Sequence, residues 1–404
     1  MTVCLPKKRP TSFLGPLSPD EFLEHYWQKQ PLLLRGALRD QPLPVSRSQL
    51  FALAQDPEVE SRLVKRNRNK RVLEGSTENS NCIETSDTYS LDLGPFSKKQ
   101  LTILPAQDWT LLVQDLEQHT PLLQSLLDWL DFLPEWRKDD VMASFATQGG
   151  SVGPHFDQYD VFLVQVQGSR RWELSSNFDP TALQNDSDLQ ILSKFEPELS
   201  WDVDPGDIIY LPPNIAHFGV ANEESITLSL GCRSASLEQL LQRVTWDACE
   251  GFDESRRVAE PTPMPAGSHL TTDDLHWLRP LLQSSLFADQ SALPLSFARL
   301  VTEPKALFAL QQEPLNESEL ASALQAKTWR RRPGSRWLRL DAPETHWLVI
   351  DGNSLELHAH AVQLANELAA NRELHTRQLN PTEHRLLSRL LRNGQLVVAT
   401  CVTE

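Results

Sequence analysis

A histidine and an aspartate two residues apart, His155 and Asp157, lie in the segment Gly153-Pro154-His155-Phe156-Asp157-Gln158-Tyr159-Asp160. On a strand, that spacing points both side chains to one face. A third donor is offered by His217, which ends the run Pro205-Gly206-Asp207-Ile208-Ile209-Tyr210-Leu211-Pro212-Pro213-Asn214-Ile215-Ala216-His217. Two imidazole nitrogens and one carboxylate oxygen on one side of an ion leave the other side open. That is the donor set of non-haem Fe(II) oxygenases, whose open positions take a bidentate 2-oxo acid and then O2. A bare His-x-Asp is a weak signal, and a core histidine satisfied by a hydrogen bond is its plain alternative. The setting strengthens it, because a Pro-Gly-Asp turn, a short apolar strand and a Pro-Pro-x-x-x-His loop follow in order.

A cation stands in a suggestive place. Arg170 lies in Gly168-Ser169-Arg170-Arg171-Trp172, on the strand that follows the His-x-Asp hairpin. Strand alternation puts Arg170 and Trp172 on one face and Arg171 on the other. If Trp172 is inside, so is Arg170, and a buried guanidinium without an anion is costly. The distal carboxylate of a 2-oxo diacid would satisfy it bidentately. A structural salt bridge is the alternative. Ser144 is a candidate hydroxyl to share that carboxylate.

The elements that must position these residues can be read outward from them. Between 141 and 232, short apolar runs alternate with Gly, Pro, Asn and Asp turns, at 141–145, 160–166, 170–174, 207–211 and 226–230. That texture predicts an all-β barrel or jelly roll. Upstream, Ser18-Pro19-Asp20-Glu21 has the shape of a capping box that opens a helix carrying Phe22, Tyr26 and Trp27. Residues 32–34 read as a short buried strand. Helical leucine spacing is read over 107–137, with Pro121 opening a second helix. The run 62–71 is basic and reads as a solvated strand or loop, with nucleic-acid contact as the lesser reading. Downstream, helices are expected at 237–248 and 272–286, with a Pro-rich linker at 260–267 between them. From 304 a smaller unit combines helices at 317–325, 359–370 and 382–392 with strands at 337–340, 347–350 and 395–402, a winged-helix texture.

Composition sets the outer limits. The chain has 404 residues, 40% apolar and 23% charged, the balance of a folded protein of two or three domains. No run of 18 apolar residues is present, so no membrane span is expected. Five scattered cysteines without Cys-x-x-Cys spacing argue against a disulfide framework and fit a reducing, cytoplasmic setting. The net charge is −16, concentrated in residues 101–300 at −19 against +3 before and 0 after. An acidic body repels nucleic acid and attracts a basic partner, or simply aids solubility.

On these strings the chain resembles the Jumonji C (cupin-like) oxygenases, and most closely the bacterial ribosomal oxygenases, arginine hydroxylases of a large-subunit ribosomal protein. The likeness rests on Leu133-Pro134-Glu135-Trp136-Arg137-Lys138-Asp139-Asp140-Val141-Met142, Gly153-Pro154-His155-x-Asp157-Gln158-Tyr159-Asp160-Val161-Phe162 and Gly168-x-Arg170-x-Trp172. It implies an α+β fold in three parts. These are a catalytic domain over 1–234 with a double-stranded β-helix core at 141–232, a helical dimerisation region over 235–303, and a winged-helix-like domain over 304–404. It implies iron ligands at His155, Asp157 and His217, the distal carboxylate of 2-oxoglutarate on Arg170, and a nearby hydroxyl at Ser144. The cofactors would be Fe(II), 2-oxoglutarate and O2.

The implied reaction is oxidative decarboxylation of 2-oxoglutarate coupled to hydroxylation of an arginine β-carbon. The implied substrate is a basic segment of a large-subunit ribosomal protein, met by a homodimer that binds neither DNA nor membrane. Asp160 and Tyr159 are candidates to meet the substrate guanidinium, against a packing role. Arg330, Arg331, Arg332, Arg336 and Arg339 keep open a weak contact with RNA. Three rivals share features of the sequence. They are a Jumonji C lysine demethylase, a cupin metal enzyme of another class, and a non-enzymatic ribosome-binding adaptor.

Overall fold

The computed structural model describes residues 9–68, 83–84, 87–184, 189–250, 255, 257–258, 271–286, 291–305 and 314–399. The chain divides into two compact units, Met1–Ser234 and Ala235–Glu404. The linker expected at 260–267, and Cys4, Cys82 and Cys401, lie outside the described residues.

The first unit opens with α1 (Pro19–His25). Ser18 accepts from the Glu21 amide and the Glu21 carboxylate accepts from the Ser18 amide at 2.8 Å, so the capping box is complete. Seven residues are too few to hold a helix in water by themselves. Phe22 anchors it by packing edge-on to Tyr210 at 4.9 Å and against Phe162 at 5.7 Å. Burying such a ring contributes about 1.5–3 kcal/mol. Next come β1 (Leu32–Leu34), α2 (Arg47–Leu53), β2 (Ser61–Asn67), β3 (Ile83–Glu84), β4 (Thr88–Leu93), α3 (Lys98–Thr102), β5 (Trp109–Val113), α4 (Leu116–His119) and α5 (Pro121–Asp128).

Helical spacing fails at β5. All five residues of Trp-Thr-Leu-Leu-Val are buried, and the run pairs on both sides, with β2 and with β6 (Lys138–Ala146). A five-residue apolar run fits a central strand as well as a helix face, and the partners decide. The basic run is also explained. Lys65, Arg66 and Arg68 pair with Asp92, Asp87 and Asp108 at 2.7, 2.6 and 2.6 Å, so it is a strand neutralised by its neighbours; residues 69–71 lie outside the described residues.

The remaining strands build the core: β7 (His155–Phe156), β8 (Asp160–Gln167), β9 (Arg170–Ser175), β10 (Lys194–Phe195), β11 (Leu199–Val203), β12 (Ile208–Leu211), β13 (Ala216–Ala221) and β14 (Ser225–Cys232). One sheet runs β1-β12-β8-β14-β6-β5-β2-β4 and a second runs β11-β9-β13-β7. The chain alternates between them, with β8, β12 and β14 in the large sheet and β9, β11 and β13 in the small one. Val161, Leu163, Ile209 and Leu211 of the large sheet pack on Trp172, Leu174 and Val203 of the small one. The two sheets therefore face each other.

Period-two patterning separates core from site. On β14, Ile226, Leu228 and Leu230 join Val141, Ala143 and Phe145 of β6 in the core that α1, α4 and α5 cover. The intervening Ser225, Thr227 and Ser229 turn inward between the sheets. The helices thus seal the outer face, and the inner face stays polar enough for chemistry.

The second unit contains α6 (Leu237–Glu250), α7 (Leu278–Leu286), α8 (Ala292–Thr302), α9 (Glu317–Leu324), β15 (Thr328–Arg331), β16 (Trp337–Asp341), β17 (His346–Ile350), β18 (Asn353–Glu356), α10 (Val362–Ala370), β19 (Glu373–His375), α11 (Pro381–Arg392) and β20 (Leu396–Val398). Two three-stranded sheets form, β19-β15-β20 and the meander β16-β17-β18. Asp247 of α6 is held by Arg243 at 2.9 Å and by Arg299 of α8 at 3.1 Å. The arginines kept open for RNA are largely committed elsewhere. Arg331 donates to the Leu368 and Ala369 carbonyls, Arg332 pairs with Asp351 at 2.8 Å, and Arg339 bonds Asn366 at 2.8 Å and also Asp341.

One buried carboxyl makes the fold pH-sensitive. Burial, then the charges of Asp115 and Asp140, push Glu117 up to about 8. Its Oε2 accepts from the Val141 amide at 2.9 Å, at the start of the barrel. An acid whose folded pKa is raised keeps its proton longer in the native state, so native protein binds more protons than unfolded chain between pH 4.5 and 8. Stability contributed by this group falls as pH rises through that window. Glu117→Gln should flatten the decline and raise stability at pH 8 by about 2 kcal/mol, read from urea unfolding at pH 5 and pH 8.

Candidate metal centre and co-substrate pocket

The register of the small sheet builds the site. β7 pairs with β13 so that His155 stands directly opposite His217, and their rings lie 4.2 Å apart. Asp157 follows two residues on, and its Oδ2 is 3.7 Å from His217 Nε2. One donor atom from each of His155, Asp157 and His217 lies within 4.8 Å of the others, a spread that one ion can gather.

Backbone carbonyls orient both imidazoles. His155 Nδ1 is 2.9 Å from the Gly153 carbonyl, and His217 Nδ1 is 2.9 Å from the Ile215 carbonyl. A donated Nδ1–H fixes the tautomer and leaves Nε2 as the lone-pair donor. Burial, reinforced by the neighbouring His155, pulls His217 down to about 4, so it is neutral at ordinary pH. Gly153 needs its φ of +84°, and a Cβ there would press on Ile191 at 3.0 Å. The Asn214 amide donates to the Asp157 carbonyl at 2.8 Å, tying the loop before His217 to the loop after Asp157.

The sequence also pointed to Arg170, and the structure places it inside, 5% exposed, beside Trp172. Its Nη1 donates to Ser144 Oγ at 2.9 Å and its Nη2 to Ser225 Oγ at 3.1 Å. Its Nε–H has no partner among the described residues. Burial pulls the guanidinium down to about 10, which still leaves it charged. Trp172 lies 5.9 Å from the Arg170 guanidinium and 5.9 Å from the His217 ring, linking cation and triad. It lies flat over Gly219, where a Cβ would come within 2.7 Å of the ring. A buried cation facing hydroxyls, with a donor to spare, fits a carboxylate ligand. The three donors fit a divalent ion with open positions.

Asp160 does not face this site. It is fully buried, and its carboxylate accepts from Tyr210 at 2.5 Å and from Gln28 at 3.2 Å. It shares the outward face of β8 with Phe162 and Val164, so its nearness to the triad in sequence is misleading. Tyr159 is 42% exposed. Its hydroxyl bonds Asp157. Sequence reasoning missed Ser225. Its only signal was the alternation Ser225-Ile226-Thr227-Leu228-Ser229, which marks an inward polar face.

Residues 125–240 match the JmjC domain model. The chain is 36% identical over 236 residues to a protein named probable ribosomal oxygenase from Haemophilus influenzae, covering 58% of this chain and 54% of that one. It is 34% identical over 221 residues to the ribosomal protein uL16 3-hydroxylase of Escherichia coli, covering 55% and 54%. The aligned stretch thus spans about half the length of these curated relatives. The ribosomal oxygenase YcfD of Escherichia coli superposes with a TM-score of 0.74 at 25% identity, covering 95% of this chain and 99% of that one. A further YcfD structure, with the same TM-score of 0.74, is a complex with cobalt and 2-oxoglutarate. Over residues 125–240 the chain is thus similar to JmjC domains, and over most of its length its fold is similar to that of a JmjC-type ribosomal oxygenase.

Proposed function

We propose that the protein is an Fe(II)- and 2-oxoglutarate-dependent oxygenase that hydroxylates the β-carbon of an arginine in a large-subunit ribosomal protein. The observation that carries this reading is a metal-donor triad sharing one barrel interior with a buried guanidinium that has no carboxylate partner among the described residues. The names of the E. coli and H. influenzae relatives supply the substrate class.

When bound, iron and 2-oxoglutarate supply the oxidising power for insertion of one oxygen atom into a C–H bond, with succinate and CO2 as co-products. The chain's own residues do the rest. His155, Asp157 and His217 hold the metal from one side. Arg170 and Ser144 take the distal carboxylate and fix which way the co-substrate points. Trp172, together with Val161, Leu163, Ile209 and Leu211, excludes water from the interior. Tyr159 stands exposed beside Asp157, in reach of an incoming chain. Asp139 and Asp140 add negative charge around Tyr159 and favour a cationic side chain.

The same reading assigns 235–303 to dimerisation and 304–404 to a winged-helix-like unit without DNA contact, in a cytoplasmic protein. Support for the dimer comes from α6 and α7, where Leu237, Leu241, Trp246 and Leu282 are 71%, 58%, 66% and 57% exposed. Exposed apolar residues on neighbouring helices mark an association surface. Sedimentation velocity should show a homodimer, and Leu241→Glu with Trp246→Glu should convert it to monomer with catalysis tested separately.

Two measurements test the chemistry. Binding of Mn(II), followed by electron paramagnetic resonance, should weaken at least about 100-fold in His217→Ala while circular dichroism is unchanged. An arginine-containing peptide from the ribosomal substrate, incubated with Fe(II), ascorbate, O2 and 2-oxoglutarate, should gain the mass of one oxygen atom. Asp157→Ala should abolish that gain. Formaldehyde from a methyl-lysine peptide would favour a demethylase, a name carried by relatives such as the Brugia malayi protein, 29% identical over 110 residues. Tight ribosomal-protein binding that survives His155→Ala, with no product, would favour an adaptor.

A further inference from the structure

We propose that the second unit carries a seat for single-stranded RNA. One base enters a pocket between the β16-β17-β18 meander and the end of α11, and the backbone phosphates lie on the exposed arginines of α11. The choice of RNA over DNA rests on the ribosomal reading above; the seat itself rests on the geometry of this unit.

α11 is amphipathic. Leu386, Leu387, Leu390 and Leu391 are buried, and its one acid, Glu383, is turned inward and paired with Arg377 at 2.8 Å. The exposed side carries Arg385, Arg389 and Arg392, spaced so that they line one helical face with no acid among them. The helix dipole favours cations in a last turn but gives no reason for Arg385, in the first half of the helix. Arg385 reaches Thr382 at 3.1 Å, and Arg392 reaches Glu317 at 2.8 Å in an exposed pair that solvent screens. The Arg389 guanidinium has no partner among the described residues. A Schellman turn then sets the polar side of the pocket. Gly394 follows α11 at a φ of +65°, and the Gly394 and Gln395 amides donate to the Leu391 and Leu390 carbonyls at 3.0 and 2.9 Å. Asn393 and Gln395 thereby stand with Arg389 at one pocket of about 260 Å³. Its other side is Leu348, Ile350, Asn353 and Leu355, which alternation and register put on one face of the meander. The Asn393 and Gln395 side chains bond nothing among the described residues, and Asn353 bonds only its own turn, at the Asp351 carbonyl. An apolar wall accepts the flat face of a base, and side-chain amides give and accept hydrogen bonds along its edge or at a ribose 2′-hydroxyl. The volume lies below the roughly 300–1,000 Å³ of drug-sized pockets and suits one base with part of its sugar. The arginine face leads away from this pocket, as a groove that tracks a single strand does.

The test follows the fluorescence anisotropy of a labelled single-stranded RNA of mixed sequence, titrated with the full chain at several salt concentrations. The unaltered protein should bind, and Arg389→Ala should weaken binding about tenfold and flatten its dependence on salt. Gln395→Ala should weaken binding about fivefold with the salt dependence kept, because it removes a base contact and no charge. Both variants should melt at an unchanged temperature and hydroxylate the ribosomal peptide as the unaltered protein does. No RNA binding at low salt, or binding that neither substitution weakens, would overturn the seat. Equal affinity for DNA of the same sequence would overturn the assignment to RNA. A glutamate-rich peptide that competes as well as unlabelled RNA would also overturn it, in favour of an acidic protein partner. A protein that binds RNA in the expected way but gives no hydroxylated peptide would leave the seat standing and bring down the proposed function instead.

Discussion

A guanidinium sealed between two β-sheets, bonded to hydroxyls and to no carboxylate among the described residues, is the constraint on which this site depends. Burying an uncompensated cation is expensive, and the cost is tolerated where a ligand recovers it. Everything near Arg170 keeps it there. Trp172 covers one side, Ser144 and Ser225 accept from its two terminal nitrogens, and the tight Gly168 turn presses on the Glu224 carbonyl so that no Cβ fits. The protein holds the cation in place before any anion arrives, so orientation costs little when the anion binds.

The triad obeys the same logic with neutral donors. Both histidines use Nδ1 on the chain's own carbonyls two residues earlier, so each ring is aimed by its own turn. Neither orientation depends on a distant side chain. Cross-strand register then brings the two rings opposite each other, and a loop-to-loop hydrogen bond from the Asn214 amide to the Asp157 carbonyl ties down the loop that carries the third donor. Local geometry aims each donor, and sheet pairing gathers them.

How much of this could be read in the sequence follows from that division. His155, Asp157, His217 and Arg170 were legible because each sits in a turn-and-strand string whose spacing carries meaning alone. Ser144 was a looser reading, and the structure sets it against Arg170. Ser225 was not legible, because it meets Arg170 across 55 residues of sequence, and only pairing shows which serine on which strand arrives there. β5 was misread for the same reason, since its neighbours β2 and β6 turn an ambiguous apolar run into a central strand. Asp160 was misplaced by proximity. It lies three residues after Asp157, yet the period of two sends it to the opposite face, where Tyr210 and Gln28 hold it.

That opposite face explains why the inner face can be so polar. On β14, each inward hydroxyl alternates with an outward Ile or Leu that joins a core closed by α1, α4 and α5. Stability comes from the outer half of each strand and chemistry from the inner half. The buried Asp160–Tyr210 bond shows how finely the two are separated. Its carboxyl is pushed up by burial and bonded by a tyrosine that packs against Phe22 of α1, so even the acid nearest the triad in β8 serves the outer core. A substitution on the outward face should therefore be felt first in folding, and one on the inward face first in ligand affinity. The alternation makes these two classes of variant separable along a single strand.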